Sequence, residues 1–180
     1  MVRRVRHTIV LLFVVLTSIP MLGSRAAVAD ETPGALQQRM ADIYAATRDR
    51  DARKSEALIG SLRLPAHAAW FRKAFGEPAA AGLTTEYDAL LQRFEADAAK
   101  LFSGVVQKGQ SEIRVLRFTD PGDQNAVGNQ RDAMAAMKSR EPLYSVRFVQ
   151  PGEKLGMHLY SFVYAGGGFR FVGRMTGAKP

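Results

Sequence analysis

The sequence has no cysteine in its 180 residues. That single absence excludes disulfides, thiol nucleophiles and thiolate metal ligands, and with them lipid attachment to a cysteine behind a leader. Histidine is nearly as scarce: beyond His7 there are only His67 and His158. Two histidines so far apart do not compose a zinc site. No Gly-x-Ser-x-Gly elbow occurs, so nucleophilic serine chemistry has no local signature either. Asp123-x-Asn125-x-Val127 opens like a calcium loop, but Val127 stands where an oxygen ligand belongs and Met134 replaces the bidentate glutamate. No run of Lys or Arg is present to follow a phosphate backbone, which removes nucleic acid from the expected partners. Internal repeats and low-complexity stretches are also missing. No catalytic residue, metal site or cofactor is therefore assigned.

The one long apolar run is residues 8–22, preceded by Arg3, Arg4 and Arg6 and followed by the small-x-small site Ala27-Val28-Ala29. This order is that of a secretory signal peptide, with cleavage expected after Ala29. The run is interrupted by Pro20 and falls short of the roughly 20 apolar residues a spanning helix requires. No stable membrane span is expected after cleavage. Removal of residues 1–29 takes away four arginines and no acid, halving the formal net charge of +8. A periplasmic or secreted chain of bacterial type is the expectation, folded as one domain over residues 30–180.

Helical spacing dominates the first half of that domain. Leu36, Met40, Ile43 and Thr47 share one face, and a second helix is expected over residues 52–62. Pro65 precedes a short helix over 66–75 whose heavy side carries Trp70, Phe71 and Phe75, stopped by Gly76. The clearest pattern is residues 83–102, where Leu83, Tyr87, Leu90, Leu91, Phe94, Ala98 and Leu101 form one stripe behind an N-cap at Thr84 or Thr85. A strand follows at 111–118, then a short helix over 129–139. Residues 143–175 read as three antiparallel strands joined at Pro151-Gly152 and at Gly166–Gly168. Helices first and a mostly antiparallel sheet last make an α+β protein.

Strict alternation along residues 155–164 places His158, Tyr160, Phe162 and Tyr164 on one face, and Met157, Leu159, Ser161 and Val163 on the other. Neither face is polar, so both are expected to be covered: one by the helices, the other by a curled sheet, a ligand or a second subunit.

This order of elements, residues 83–102, then 111–118, then 143–175 ending in Phe169-Arg-Phe-Val-Gly, resembles the NTF2-like superfamily of cone-shaped α+β proteins. More distantly it is similar to exported phospholipid-carrier proteins, and the segment LRLPAHAAWFRKAFG resembles uncharacterised exported bacterial proteins. The NTF2-like resemblance implies N-terminal helices packed on a curved sheet, an apolar pocket between them, and a tendency to dimerise through the sheet.

The expected function is a non-enzymatic binding or carrier role for a small hydrophobic or lipid-like ligand. Tyr160, Phe162 and Tyr164 are the expected lining, with His158, Trp70 and Tyr87 nearby and Arg147 or Arg170 meeting an anionic head group. Most of the aromatics serve a core in any case. Of the alternating strand positions only Arg147, His158, Arg170 and Arg174 offer polar groups to such a cup, a set too basic for isomerase or dehydratase chemistry. The alternatives are a homodimer or interaction module using the aromatic sheet face and, behind it, a small enzyme built on His158.

Overall fold

The computed structural model describes residues 31–178; the expected signal peptide and its cleavage point lie outside the described residues. The chain runs α1 (Pro33–Arg48), α2 (Ala52–Gly60), α3 (His67–Phe75), α4 (Ala79–Leu91), α5 (Phe94–Gln107), β1 (Glu112–Phe118), α6 (Gly128–Ala136), β2 (Leu143–Val149), β3 (Gly156–Ala165) and β4 (Gly168–Phe171). The strands form one antiparallel sheet in the order β1-β2-β3-β4. The protein is thus α+β, with helices preceding a meander. No helix among the described residues is long and apolar enough to cross a membrane.

Local chemistry accounts for the element ends. Thr32 caps α1, its hydroxyl accepting from the Ala35 amide at 3.2 Å, and Pro33 occupies the first turn, where a missing N–H costs nothing. Asp51 caps α2 by accepting from the Lys54 amide at 3.0 Å. Gly152 (φ 84°), Gly166 (φ 57°) and Gly167 (φ 74°) supply the left-handed backbone that the two hairpins need.

The stripe over residues 83–102 is not one helix. It breaks between α4 and α5, where Arg93 takes φ −125° and ψ 6°. α4 also begins earlier than expected, so Thr84 and Thr85 lie inside it and donate back to the Ala80 and Ala81 carbonyls instead of capping. The break has a packing reason. Leu83 and Tyr87 of α4 belong to one core, with Phe71, Phe75, Ala133, Met134, Phe118, Leu143 and Val163. Phe94, Phe102 and Val105 of α5 belong to a second, with Leu36, Met40, Ile43, Tyr144, Val146, Phe148 and Phe162. Leu90 and Leu91 touch both. One straight helix buries its stripe against one surface; the bend lets a single stripe serve two.

Those two cores lie on opposite faces of the sheet. Leu143 and Tyr144 are consecutive in β2, as are Phe162 and Val163 in β3, and each pair is divided between them. Helices α1, α2 and α5 cover one face, and α3, α4 and α6 cover the other. Both faces are covered, as expected, but the second cover is a further set of helices where a curled sheet, a ligand or a second subunit was expected.

The second departure is in β3. Tyr144 pairs with Phe162 but Val146 pairs with Leu159, so β3 carries an extra residue, and Ser161 sits there at φ 58°. This β-bulge reverses the parity beyond it. Phe162 and Tyr164 join Met157 and Leu159 on the α1/α2/α5 face, while His158 and Tyr160 are left on the other. The four residues expected on one face are split between two.

Candidate functional site

Where the chain passes from α4 to α5, a groove of ≈ 470 Å³ opens beside the sheet. Its walls are apolar: Leu62, Ala89, Leu90, Phe94, Ala98, Leu101, Phe102, Leu159, Phe162 and Phe171. The polar members are Glu86, Arg93, Asp97, Arg174 and Thr176. The groove lies at the helix break: most of its residues come from the end of α4, the length of α5 and the two last strands, with Leu62, Arg93, Arg174 and Thr176 from outside the helices and strands. Phe94 stacks on Phe171 at 6.1 Å and Phe162 meets Phe171 at 5.1 Å, so the aromatic wall is held by ring contacts and does not fold into the space.

The charges at the groove are largely engaged. Glu86 accepts from the Thr176 amide (3.1 Å), the Thr176 hydroxyl (3.0 Å) and the Gly177 amide (3.2 Å), pinning the C-terminal segment to α4. Arg93 and Asp97 form an exposed pair at 3.8 Å. Arg174 is exposed, lies 5.7 Å from the centre of the Tyr160 ring, and forms no ion pair with a carboxylate among the described residues.

Of the residues expected from sequence, only Phe162 lines this groove. Tyr164 is on the same sheet face but packs edge-on against Phe169 at 5.3 Å. Tyr87 is a structural latch: its hydroxyl accepts from the Leu64 amide at 2.8 Å and donates to the Phe171 carbonyl at 3.1 Å, and burial pushes its pKa upward. Trp70 donates its indole N–H to Glu141 at 3.2 Å. Arg170 is committed to main-chain carbonyls, those of Ala165 (3.1 Å), Gly166 (3.2 Å) and Ser61. It binds the β3–β4 turn to the end of α2 and does not line the groove. Arg147 pairs across the strands with His158 on the face away from the groove.

His158 lies against Tyr160, with ring centres 4.0 Å apart and the ring planes tilted by 39°. Burial first, and Arg147 second, lower its pKa to about 4. It is therefore neutral near pH 7, and its Nε2 is buried with no hydrogen-bond partner. A general base is most effective with a pKa near the working pH, and His158, at about 4, lies well below it. Among the described residues, no three His, Asp or Glu side chains gather as a metal site requires.

Besides Phe162, the walls are Leu62, Ala89, Leu90, Phe94, Ala98, Leu101, Phe102, Leu159 and Phe171, none of them among the lining expected from sequence, and Arg174, expected only as a polar group of the cup, stands at the end. Most of the α4–α5 members were legible as a stripe, but a stripe is read as core unless the helix is known to bend. Three comparisons with known proteins return nothing: no family model matches the chain, and neither a curated protein nor a solved structure matches it.

Proposed function

We propose that this chain is an exported, non-enzymatic binding or carrier protein that holds a small hydrophobic or lipid-like ligand in the groove between α4, α5 and the sheet. The observation that carries the reading is the groove itself. Ten apolar side chains face a concavity of ≈ 470 Å³, a volume within the roughly 300–1,000 Å³ typical of small-molecule sites. Such a surface gains free energy when an apolar ligand displaces its water. Export rests on the leader-like residues 1–29, and kinship with the NTF2-like superfamily rests on the order of helices and strands. A pocket between helices and sheet agrees with that kinship. The ligand and homodimer readings both drew on a sheet face in need of cover; the helices supply that cover, and the groove is what favours the ligand reading.

The test is uptake of N-phenyl-1-naphthylamine, a dye that fluoresces when it leaves water, by a chain spanning residues 30–180. Ala98→Trp places a large ring in the groove from a half-buried position. We expect it to weaken dye uptake by about tenfold or more while the urea midpoint changes little. Uptake equal to that of the parent chain would rule the groove out as the site.

A further inference from the structure

A smaller cavity, ≈ 210 Å³, lies on the other face of the sheet, where the N-terminus of α6 meets the bulge of β3. Gly128, Asn129, Gln130, Tyr160, Ser161 and Arg174 line it, and no carboxylate does. Gly128 and Asn129 open α6, where a helix leaves amides without intrahelical partners and its dipole favours negative charge. That geometry alone does not make a site. Two further groups point to a ligand.

Gln130 and Ser161 are both 0% exposed, and Gln130 Nε2 and Ser161 Oγ have no hydrogen-bond partner. The orientation of the Gln130 amide is set by its other end: Oε1 accepts from the Val127 amide at 3.2 Å, as only the oxygen can. Nε2 is therefore left as a buried donor without an acceptor, in a residue that borders the cavity. Ser161 owes its place to the bulge, at φ 58°, a backbone state that L-residues rarely hold without an outside reason. Buried donors without acceptors are uncommon in folded proteins. Here two of them, a helix N-terminus and a guanidinium surround one small space.

We propose that this cavity is an oxyanion site, and that it seats the acidic head, carboxylate or phosphate, of the amphiphile whose apolar part lies in the groove. The link is Arg174. It lines both cavities, beyond the end of β4, where β3 has lost its neighbouring strand. A ligand passing that sheet edge has its tail against Leu90, Leu101 and Leu159 and its head among the donors. The inference rests on the apolar-ligand reading of the groove and adds the charge and position of the head group.

The test compares dodecanoate, dodecyl phosphate, dodecanol and inorganic phosphate by calorimetry and by displacement of the dye, using a chain of residues 30–180. We expect both acids to bind about tenfold or more tightly than dodecanol, as charge-assisted hydrogen bonds provide. Gln130→Glu keeps the acceptor for Val127 but removes the donor, and Arg174→Gln removes the guanidinium at an exposed position. Each variant should lose most of the acids' advantage over dodecanol, and Gln130→Glu, which lies outside the groove, should leave dodecanol binding itself nearly unchanged. If Gln130→Glu fails to fold, Arg174→Gln decides alone. Acids and alcohol bound alike by the parent chain would overturn the head-group site while sparing the groove. Inorganic phosphate bound as tightly as its dodecyl ester would make this a free-anion site and overturn the link. Failure of every alkyl compound, the dye included, would remove the groove reading and this one with it.

Discussion

The two faces of the sheet are covered by the same means and leave different kinds of space. On the α1/α2/α5 face the strands present Tyr144, Val146, Phe148 and Phe162, the helices answer with aliphatic and aromatic side chains, and what remains open is an apolar groove. On the α3/α4/α6 face the same strands present Ser145, Arg147, His158 and Ser161 beside Leu143 and Val163, and several of their polar atoms are buried without partners. The difference comes from two local irregularities, not from overall composition. The break after α4 opens the apolar space, and the bulge at Ser161 turns a polar side chain toward the other face. Arg174 stands beside both spaces.

Phe148 is fully buried on the groove side and packs edge-on against Phe102 at 5.7 Å. Phe148→Ala is expected to cost about 3–5 kcal/mol, read from urea unfolding. Trp70, the only tryptophan, reports from the opposite face. Its fluorescence midpoint should fall together with the far-UV circular dichroism signal if the two faces make one cooperative unit. Separate midpoints would show that they do not.

A smaller effect sharpens the distinction between latch and site. Tyr87→Phe strands the Leu64 amide and the Phe171 carbonyl and should cost about 1–3 kcal/mol. Dye affinity should stay within about twofold, because Tyr87 does not line the groove. A large loss of affinity at unchanged stability would return Tyr87 to the role first expected of it.

The smallest effect concerns pH. His158 has a folded-state pKa of about 4, below the ordinary 6.5, so the folded chain binds fewer protons there than the unfolded chain does. Its contribution is fully present above about pH 6.5 and is lost as pH falls toward 4. With solvent still reaching part of the ring, we expect a loss on the order of 1 kcal/mol across that window. Thermal unfolding at pH 7 and pH 4.5 should show it in the parent chain and a flatter profile in His158→Gln. Equal pH profiles would mean that the imidazole is not held neutral by its surroundings.

Much of this architecture was legible in the sequence. The terminal meander, its glycine turns, the amphipathic helices and the α+β order all follow from periodicity and turn chemistry, which are local properties. The site was less legible, for equally physical reasons. No glycine or proline marks the bend at Gln92-Arg93, and Leu90, Leu91, Phe94 and Ala98 suit a straight helix as well as a broken one. Only competition between two cores bends it. The bulge is likewise silent, since a serine within an apolar strand reads as ordinary alternation, yet it moves Phe162 and Tyr164 to the face opposite His158 and Tyr160. Arg170 was drawn from alternation as a head-group residue, whereas long-range contact with the Ser61 carbonyl decides its use. Arg174, also available from alternation, is the arginine that reaches the cavities. Gln130, three residues into α6 behind a valine that cannot cap, was the one readable hint of the polar site.

The binding proposed for the groove would place an apolar chain between α4, α5 and the sheet. The most direct measurement is a methyl-labelled nuclear magnetic resonance titration of residues 30–180 with dodecanoate. We expect saturable shifts at the methyl groups of Leu90, Leu101 and Leu159, with Leu36 and Ile43 of the α1 core unaffected. Shifts confined to Leu155, which is 86% exposed at the β2–β3 turn, or no shifts at millimolar ligand, would contradict it.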